Sequence, residues 1–152
     1  MTVTAKEGKY LTFALGGEEY GLQIHQVREI IGLMGITPVP QVPSYVKGVI
    51  NLRGKIIPVV DIRAKFAMGQ VEYTAKTCII VLNVLNVLMG ILVDRVCDVV
   101  EMVQKDIEPA PAFNTTVDMN FILGIGKIGE RVRILLDIEK ILMQDAGNAA
   151  AF

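Results

Sequence analysis

Residues 20–31, YGLQIHQVREII, come back at residues 89–100 as MGILVDRVCDVV, 69 positions later. Gly21 falls on Gly90, Ile24 on Val93, Val27 on Val96, Ile30 on Val99 and Ile31 on Val100. A second stretch behaves alike. Residues 48–62, GVINLRGKIIPVVDI, match residues 124–138, GIGKIGERVRILLDI, at an offset of 76. Here Gly48 meets Gly124, Ile56 meets Val132, Val60 meets Leu136, Asp61 meets Asp137 and Ile62 meets Ile138. Two blocks in the same order, at nearly one offset, point to two copies of one small module. Two copies are too few for a solenoid, so the expectation is a pair of similar subdomains packed together.

Outward from these blocks the chain reads mostly as strands. Residues 10–15 alternate loosely, Gly16 and Gly17 supply a tight turn, and residues 19–24 return. Val27, Ile30 and Ile31 recur at helical spacing, which predicts a short helix or helical turn within 23–31. Three prolines make 36–43 an extended edge or loop. Residues 48–52 and 55–60 form a predicted hairpin with Arg53 and Gly54 at its tip, and Asp61 is placed to cap a helix over 62–68. After a connector at 69–75, strands follow at 77–84, 88–93, 96–103, 122–128 and 132–136. A proline loop covers 107–112, and Asp137 opens a last helix over 138–143. The small residues of 146–151 are expected to fray. Many short strands with glycine turns suggest small barrels, with room for about five strands in each repeat. The pattern leaves open whether strands are exchanged between the two copies.

A repeat of this size buries too little surface to be secure alone, but two docked copies share a core. The net charge of −1, from 15 basic and 16 acidic residues, provides no field for a nucleic-acid backbone or an anionic membrane surface. The hydrophobic fraction of 52% and mean hydropathy of +0.48 require either an unusually apolar core or apolar surface kept for partners. The first ten residues carry no apolar run of the signal-peptide kind. The uncharged stretch 77–93 is at the short limit for a membrane span and is broken by Asn83, Asn86 and Gly90, which favours two buried strands and a turn over a membrane hairpin. Cys78 and Cys97 sit among apolar residues as small core side chains.

No constellation for catalysis or a cofactor stands out. Gly124, Gly126 and Gly129 spell G-x-G-x-x-G, which would make the chain a nucleotide-binding enzyme only if a helix followed; the strand-like ERVRILL follows instead. His25, the single histidine, has no metal-ligand or nucleophile partners in sequence and reads as a partly exposed helix residue. Asp61, Asp94 and Asp137 each end an apolar strand and suit helix capping better than acid–base work. Glu29 and Arg53 lie at the ends of apolar elements in one repeat, where an ion pair would serve positioning more than stability.

The runs GVINLRG at 48–54, IIPVVDIR at 56–63, EYGLQIHQVREI at 19–30, GILVDRVCDV at 90–99 and PAPAF at 109–113 together resemble the CheW family of bacterial chemotaxis coupling proteins. The resemblance spans about residues 10 to 143. It implies a single CheW-like domain over 1–152, mostly β, of two SH3-like five-stranded barrels with a few short helices. The first barrel subdomain would cover 9–69 and the second 75–145. It implies no catalysis, no cofactor and no metal. The implied partners are the regulatory domain of the histidine kinase CheA, the cytoplasmic hairpin tip of chemoreceptors, and other CheW-like modules in rings. The implied place is cytoplasmic, in arrays beneath the inner membrane, without insertion. Carried over residue by residue, Val27, Glu29, Ile30, Arg53, Val96 and Val99 match receptor-binding positions, with Glu29 and Arg53 as a pair. Pro109, Pro111 and Phe113 match a kinase-binding loop. The turn at Leu85 and Asn86 departs from the family in being apolar.

Overall fold

The computed structural model describes residues 7–69, 72–109 and 119–149. Its strands are β1 (Gly8–Leu15), β2 (Glu18–Gln23), β3 (Val27–Gly32), β4 (Val46–Leu52), β5 (Lys55–Asp61), β6 (Cys78–Val84), β7 (Val87–Val93), β8 (Arg95–Met102), β9 (Ile107–Glu108), β10 (Ile122–Ile128) and β11 (Arg131–Leu136). Two α-helices, α1 (Ile62–Lys65) and α2 (Ile138–Ala149), follow β5 and β11. The protein is mostly β, as the strand patterning predicts.

The strands form two sheets, one six-stranded in the order β8-β1-β2-β11-β10-β9 and one five-stranded in the order β3-β6-β7-β5-β4. Replacing each strand by its repeat partner converts the order β8-β1-β2-β11-β10 into β3-β6-β7-β5-β4. The two-residue β9 is the one addition. The duplication read from the sequence therefore extends to topology. It also extends to register. The parallel pair Val59–Gly90 of one sheet corresponds to Leu135–Gly21 of the other. The ladder shifts at Val46/Gly48 in one and at Ile122/Gly124 in the other. The Asp61 N–H donates to the Tyr45 carbonyl and the Asp137 N–H to the Phe121 carbonyl, both at 2.8 Å.

The sheets do not follow the division of the chain at 9–69 and 75–145. Each sheet combines the first hairpin of one repeat with the last three main strands of the other, so strands are exchanged between the copies. Neither repeat segment completes a sheet by itself. Local sequence pattern fixes which residues are strand and which face they bury, but not which strand lies alongside.

Three apolar clusters fill the structure. The largest lies between the sheets and takes side chains from both, including Leu11, Phe13, Tyr20, Ile80, Leu82 and Ile91, with Ile62 and Phe66 around α1 and Ile138, Ile141 and Leu142 of α2. The second, of Ile50, Ile57, Val59, Ile79, Val81 and Leu92, fills the concave side of the five-stranded sheet. The third, of Tyr10, Met102, Ile107, Leu123 and Leu135, fills that of the six-stranded sheet. The stretch 77–93, considered above as a membrane hairpin, is the β6–β7 hairpin at the centre of the five-stranded sheet. Among the described residues no helix is long and apolar enough to cross a membrane.

Both expected helix caps after β5 and β11 are present. Asp61 accepts from the N–H groups of Arg63 and Ala64, and Asp137 accepts from that of Lys140. Asp94, expected as a third cap, does a different job. No helix follows it, and its carboxylate accepts from the Gly16 N–H at 2.8 Å and from Arg63 Nη1 at 3.2 Å, tying the β1–β2 turn to α1. Helix α1 stops at Lys65, short of the expected residue 68, whereas α2 runs past the expected 143 to Ala149. The segment from 146 that was expected to fray is helical to that point. Asp145 explains it: this buried carboxylate accepts from Lys65 Nζ at 2.6 Å and from the Tyr45 hydroxyl at 3.1 Å, and Lys65 sits 4.3 Å above the Tyr45 ring.

Residues 27–31 form strand, not helix; only Ile24–Gln26 make a single 3₁₀ turn. A β-bulge accounts for the helical spacing. The β3–β6 register shifts between Val27 and Glu29, so Val27 and Ile30 face the same way, opposite Leu82 and Ile80. The same shift recurs on β8 between Val96 and Asp98.

Candidate functional site

Strands β3 and β4 are the two edges of the five-stranded sheet, yet Glu29 of β3 pairs with Arg53 beside β4: Arg53 Nη2 donates to Glu29 Oε1. The sheet thus curls until its edges face one another. Arg53 and Gly54 form a two-residue turn between Leu52 and Lys55, both with positive φ (50° and 88°), as a type I′ hairpin requires. The Asn51 side chain accepts from the Gly54 N–H at 2.8 Å and braces it. The arginine is therefore aimed by its backbone. With side chains 69% and 34% exposed, the pair contributes about 0–1 kcal/mol, and orientation is its main effect. Below it runs a groove with Arg28 and Lys55 at its rim and Ile57, Val81 and Leu88 inside. The sequence reading found Glu29 and Arg53 but not the two other cations. The one signal for Arg28 and Lys55 is their closeness in sequence to the pair.

The apolar candidates divide by depth. Val27 and Val96 are half-buried against the cluster between the sheets. Ile30 and Val99, three residues on and on the same face because of the matching bulges, are 44% and 50% exposed. On each of β3 and β8 an apolar stripe leads from the inter-sheet core to the surface. Both strands are sheet edges. The apolar excess of the composition thus has two outlets, a filled core and exposed side chains that also include the repeat-related Ile56 and Val132.

Of the kinase-loop candidates, Pro109 is exposed just after β9. Pro111 and Phe113 lie outside the described residues.

The chemical alternatives find no support in the geometry. Gly124 and Gly126 are inside β10 and Gly129 is in the turn to β11, so the G-x-G-x-x-G run is a β-hairpin, with no helix N-terminus for a phosphate. His25 is exposed in the 3₁₀ turn. Among the described residues no three His, Cys, Asp or Glu side chains are grouped to hold a metal ion. Burial pushes the thiols of Cys78 and Cys97 above their ordinary pKa, away from thiolate chemistry. Both are free and half-buried rather than fully sealed in the core. The apolar turn of Leu85 and Asn86 is also type I′, with φ of 51° and 67°, and the Asn83 side chain braces it as Asn51 does the other.

Residues 9–146 match the family described as the CheW-like domain. The chain is 44% identical over 137 residues to the chemotaxis protein CheW of Klebsiella aerogenes, covering 90% of this chain and 82% of that one. It is 33% identical to the chemotaxis protein CheW of Bacillus subtilis, covering 99% and 97%. Among solved structures, the scaffolding protein TtCheW of Thermoanaerobacter tengcongensis matches with a TM-score of 0.81 at 35% identity, covering 91% of this chain and 89% of that one.

Proposed function

Because this chain belongs to the CheW-like family, whose relatives are chemotaxis and scaffolding proteins, we propose that it is an adaptor coupling chemoreceptors to the histidine kinase CheA by non-covalent binding of both. The observation that carries the reading is the pair of apolar stripes ending at Ile30 and Val99, the first of them next in the chain to Glu29, whose partner Arg53 is held in place by its turn. An apolar stripe continuous with the core accepts the apolar face of a helical hairpin, and the oriented charges at its side select register. The receptor-binding set is Val27, Glu29, Ile30, Arg53, Val96 and Val99. The kinase is assigned to the 109–113 loop through Pro109, Pro111 and Phe113, on the strength of the resemblance. The proposed setting is cytoplasmic, in arrays beneath the inner membrane, with further CheW-like modules as ring neighbours.

Coupling of this kind needs no bond made or broken. Each partner must prefer one of two packed arrangements, so that occupancy of one face shifts affinity at the other. Pull-down of the CheA regulatory domain and of a receptor cytoplasmic fragment, separately and together, tests it. Wild-type chain is expected to retain each alone and to bridge the two. Glu29→Ala and Arg53→Ala are expected to weaken receptor capture by about tenfold while the kinase domain is still retained. Equal capture by wild type and both variants, with unchanged kinase control, removes the pair from the mechanism. Failure to retain either partner removes the adaptor reading.

A further inference from the structure

A row of side chains crosses one end of the six-stranded sheet. Arg95 of β8 stands opposite Ala14 of β1, and Ala14 opposite Glu19 of β2. Arg133 of β11 lies beside Glu19, one residue before the parallel pair Ile134 and Tyr20. Residues opposite one another share a face. This row therefore faces the concave side that Tyr10 and Leu135 fill, and Arg131, two residues back along β11, faces it too. The contacts agree. Arg133 Nε donates to Glu19 Oε1 at 2.9 Å, Arg131 Nη2 donates to Glu19 Oε2, and Arg95 Nη1 donates to Cys97 Sγ at 3.1 Å.

Among the described residues the charge is not balanced there. Three guanidinium groups are held by one carboxylate and one thiol. The thiol supplies no countercharge, because burial keeps Cys97 protonated against the pull of Arg95, Arg131 and Arg133. Arg133 is only 3% exposed, and among the described residues its buried Nη1 has no hydrogen-bond partner. A buried charged donor left unmet is unfavourable, and a guanidinium offers its donors in a fork that suits two oxygens of one group. Arg131, more than half exposed, forms the side open to solvent. The fold does not impose this arrangement. Around the five-stranded sheet the repeat puts Gln26, Leu88, Lys55 and Ile57 where Arg95, Glu19, Arg131 and Arg133 stand.

We infer that Arg131 and Arg133, with Arg95 beside them and Glu19 holding them in place, form a binding site for an oxyanion, either a carboxylate or a phosphate group. The exposed guanidinium of Arg131 is the first donor, and the buried Nη1 of Arg133 becomes the second when the Arg131 side chain moves aside to admit the ligand. Both donors stand on β11, which carries none of the residues assigned to receptor or kinase, and the inference does not rest on the adaptor reading.

Isothermal titration of the full chain tests it with two probes, inorganic phosphate and a short blocked peptide rich in glutamate, each against sodium chloride of equal ionic strength. One-to-one saturable heat with phosphate identifies a free oxyanion as the ligand, and heat with the peptide alone identifies carboxylates presented by a protein. In either case Arg133→Ile and Arg131→Ala are expected to weaken binding by about tenfold or more. Lys140→Ala, at an exposed position of α2, is expected to leave it unchanged. Arg131 is exposed, so its variant tests the site even where Arg133→Ile perturbs the fold. No saturable heat with both probes, or equal affinity in the two arginine variants and wild type, overturns the inference.

Discussion

The groove beside Glu29 and Arg53 and the arginine cluster around Glu19 occupy the same place in the repeat. Leu88 corresponds to Glu19, Ile57 to Arg133, Lys55 to Arg131, Arg53 to Gly129 and Glu29 to Asp98. The five-stranded sheet lines its groove with apolar side chains and keeps its ion pair at the rim, where both partners reach water. The six-stranded sheet puts its ion pair inside, with Glu19 15% exposed and Arg133 nearly sealed. One backbone plan thus supports two electrostatic regimes. At the rim an ion pair is nearly free in either direction. Inside, removing one partner strands a charge that the other had compensated.

The contrast can be broken most forcefully at Glu19. Glu19→Ala leaves Arg133 buried without its carboxylate and is expected to lower unfolding free energy by about 3–5 kcal/mol in urea titration. A loss below about 1 kcal/mol would put both ion pairs in the same regime. Copying the first groove into the second, with Glu19→Leu and Arg133→Ile together, is expected to recover at least about 3 kcal/mol relative to Glu19→Ala, because an apolar pair replaces a buried ionic one at little or no net loss. A double variant no more stable than Glu19→Ala would show that the interior demands the charges for packing. The smallest effect is expected at Arg53, where φ is 50°. Arg53→Gly, which copies Gly129, should be more stable than Arg53→Ala by about 1 kcal/mol, since a β-carbon is unfavourable in that backbone region and both variants lack the ion pair. Equal unfolding midpoints for the two would mean the turn relaxes.

Much of this was legible before any coordinates. Local turn residues carried the hairpins, the repeat alignment carried the matched caps at Asp61 and Asp137, and Glu29 and Arg53 stood out by their place at the ends of apolar elements. Strand exchange was not legible, since alternation looks the same whichever strand lies alongside. The spacing of Val27 and Ile30 misled because a bulge at Arg28 gives a strand the three-residue step of a helix. Asp94 was misread because its partners, Gly16 and Arg63, are distant in sequence. The arginine cluster had a faint signal: the alignment sets Arg133 against Ile57, a charge at a position its twin fills with an apolar side chain.

The exchange of strands sets an order of assembly during synthesis. Every strand of the five-stranded sheet lies between Val27 and Val93, so that sheet is complete once β7 has left the ribosome. The β1–β2 hairpin precedes that sheet in the chain, yet both of its neighbours follow the sheet, β8 ending at Met102 and β11 at Leu136. Nascent chain emerges at about 5–20 residues per second. β8 reaches the β1 edge soon after β7 emerges, but for the seconds that separate β8 from β11 the β2 edge stays unpaired, and it is there that a chaperone or a neighbouring nascent chain would take hold.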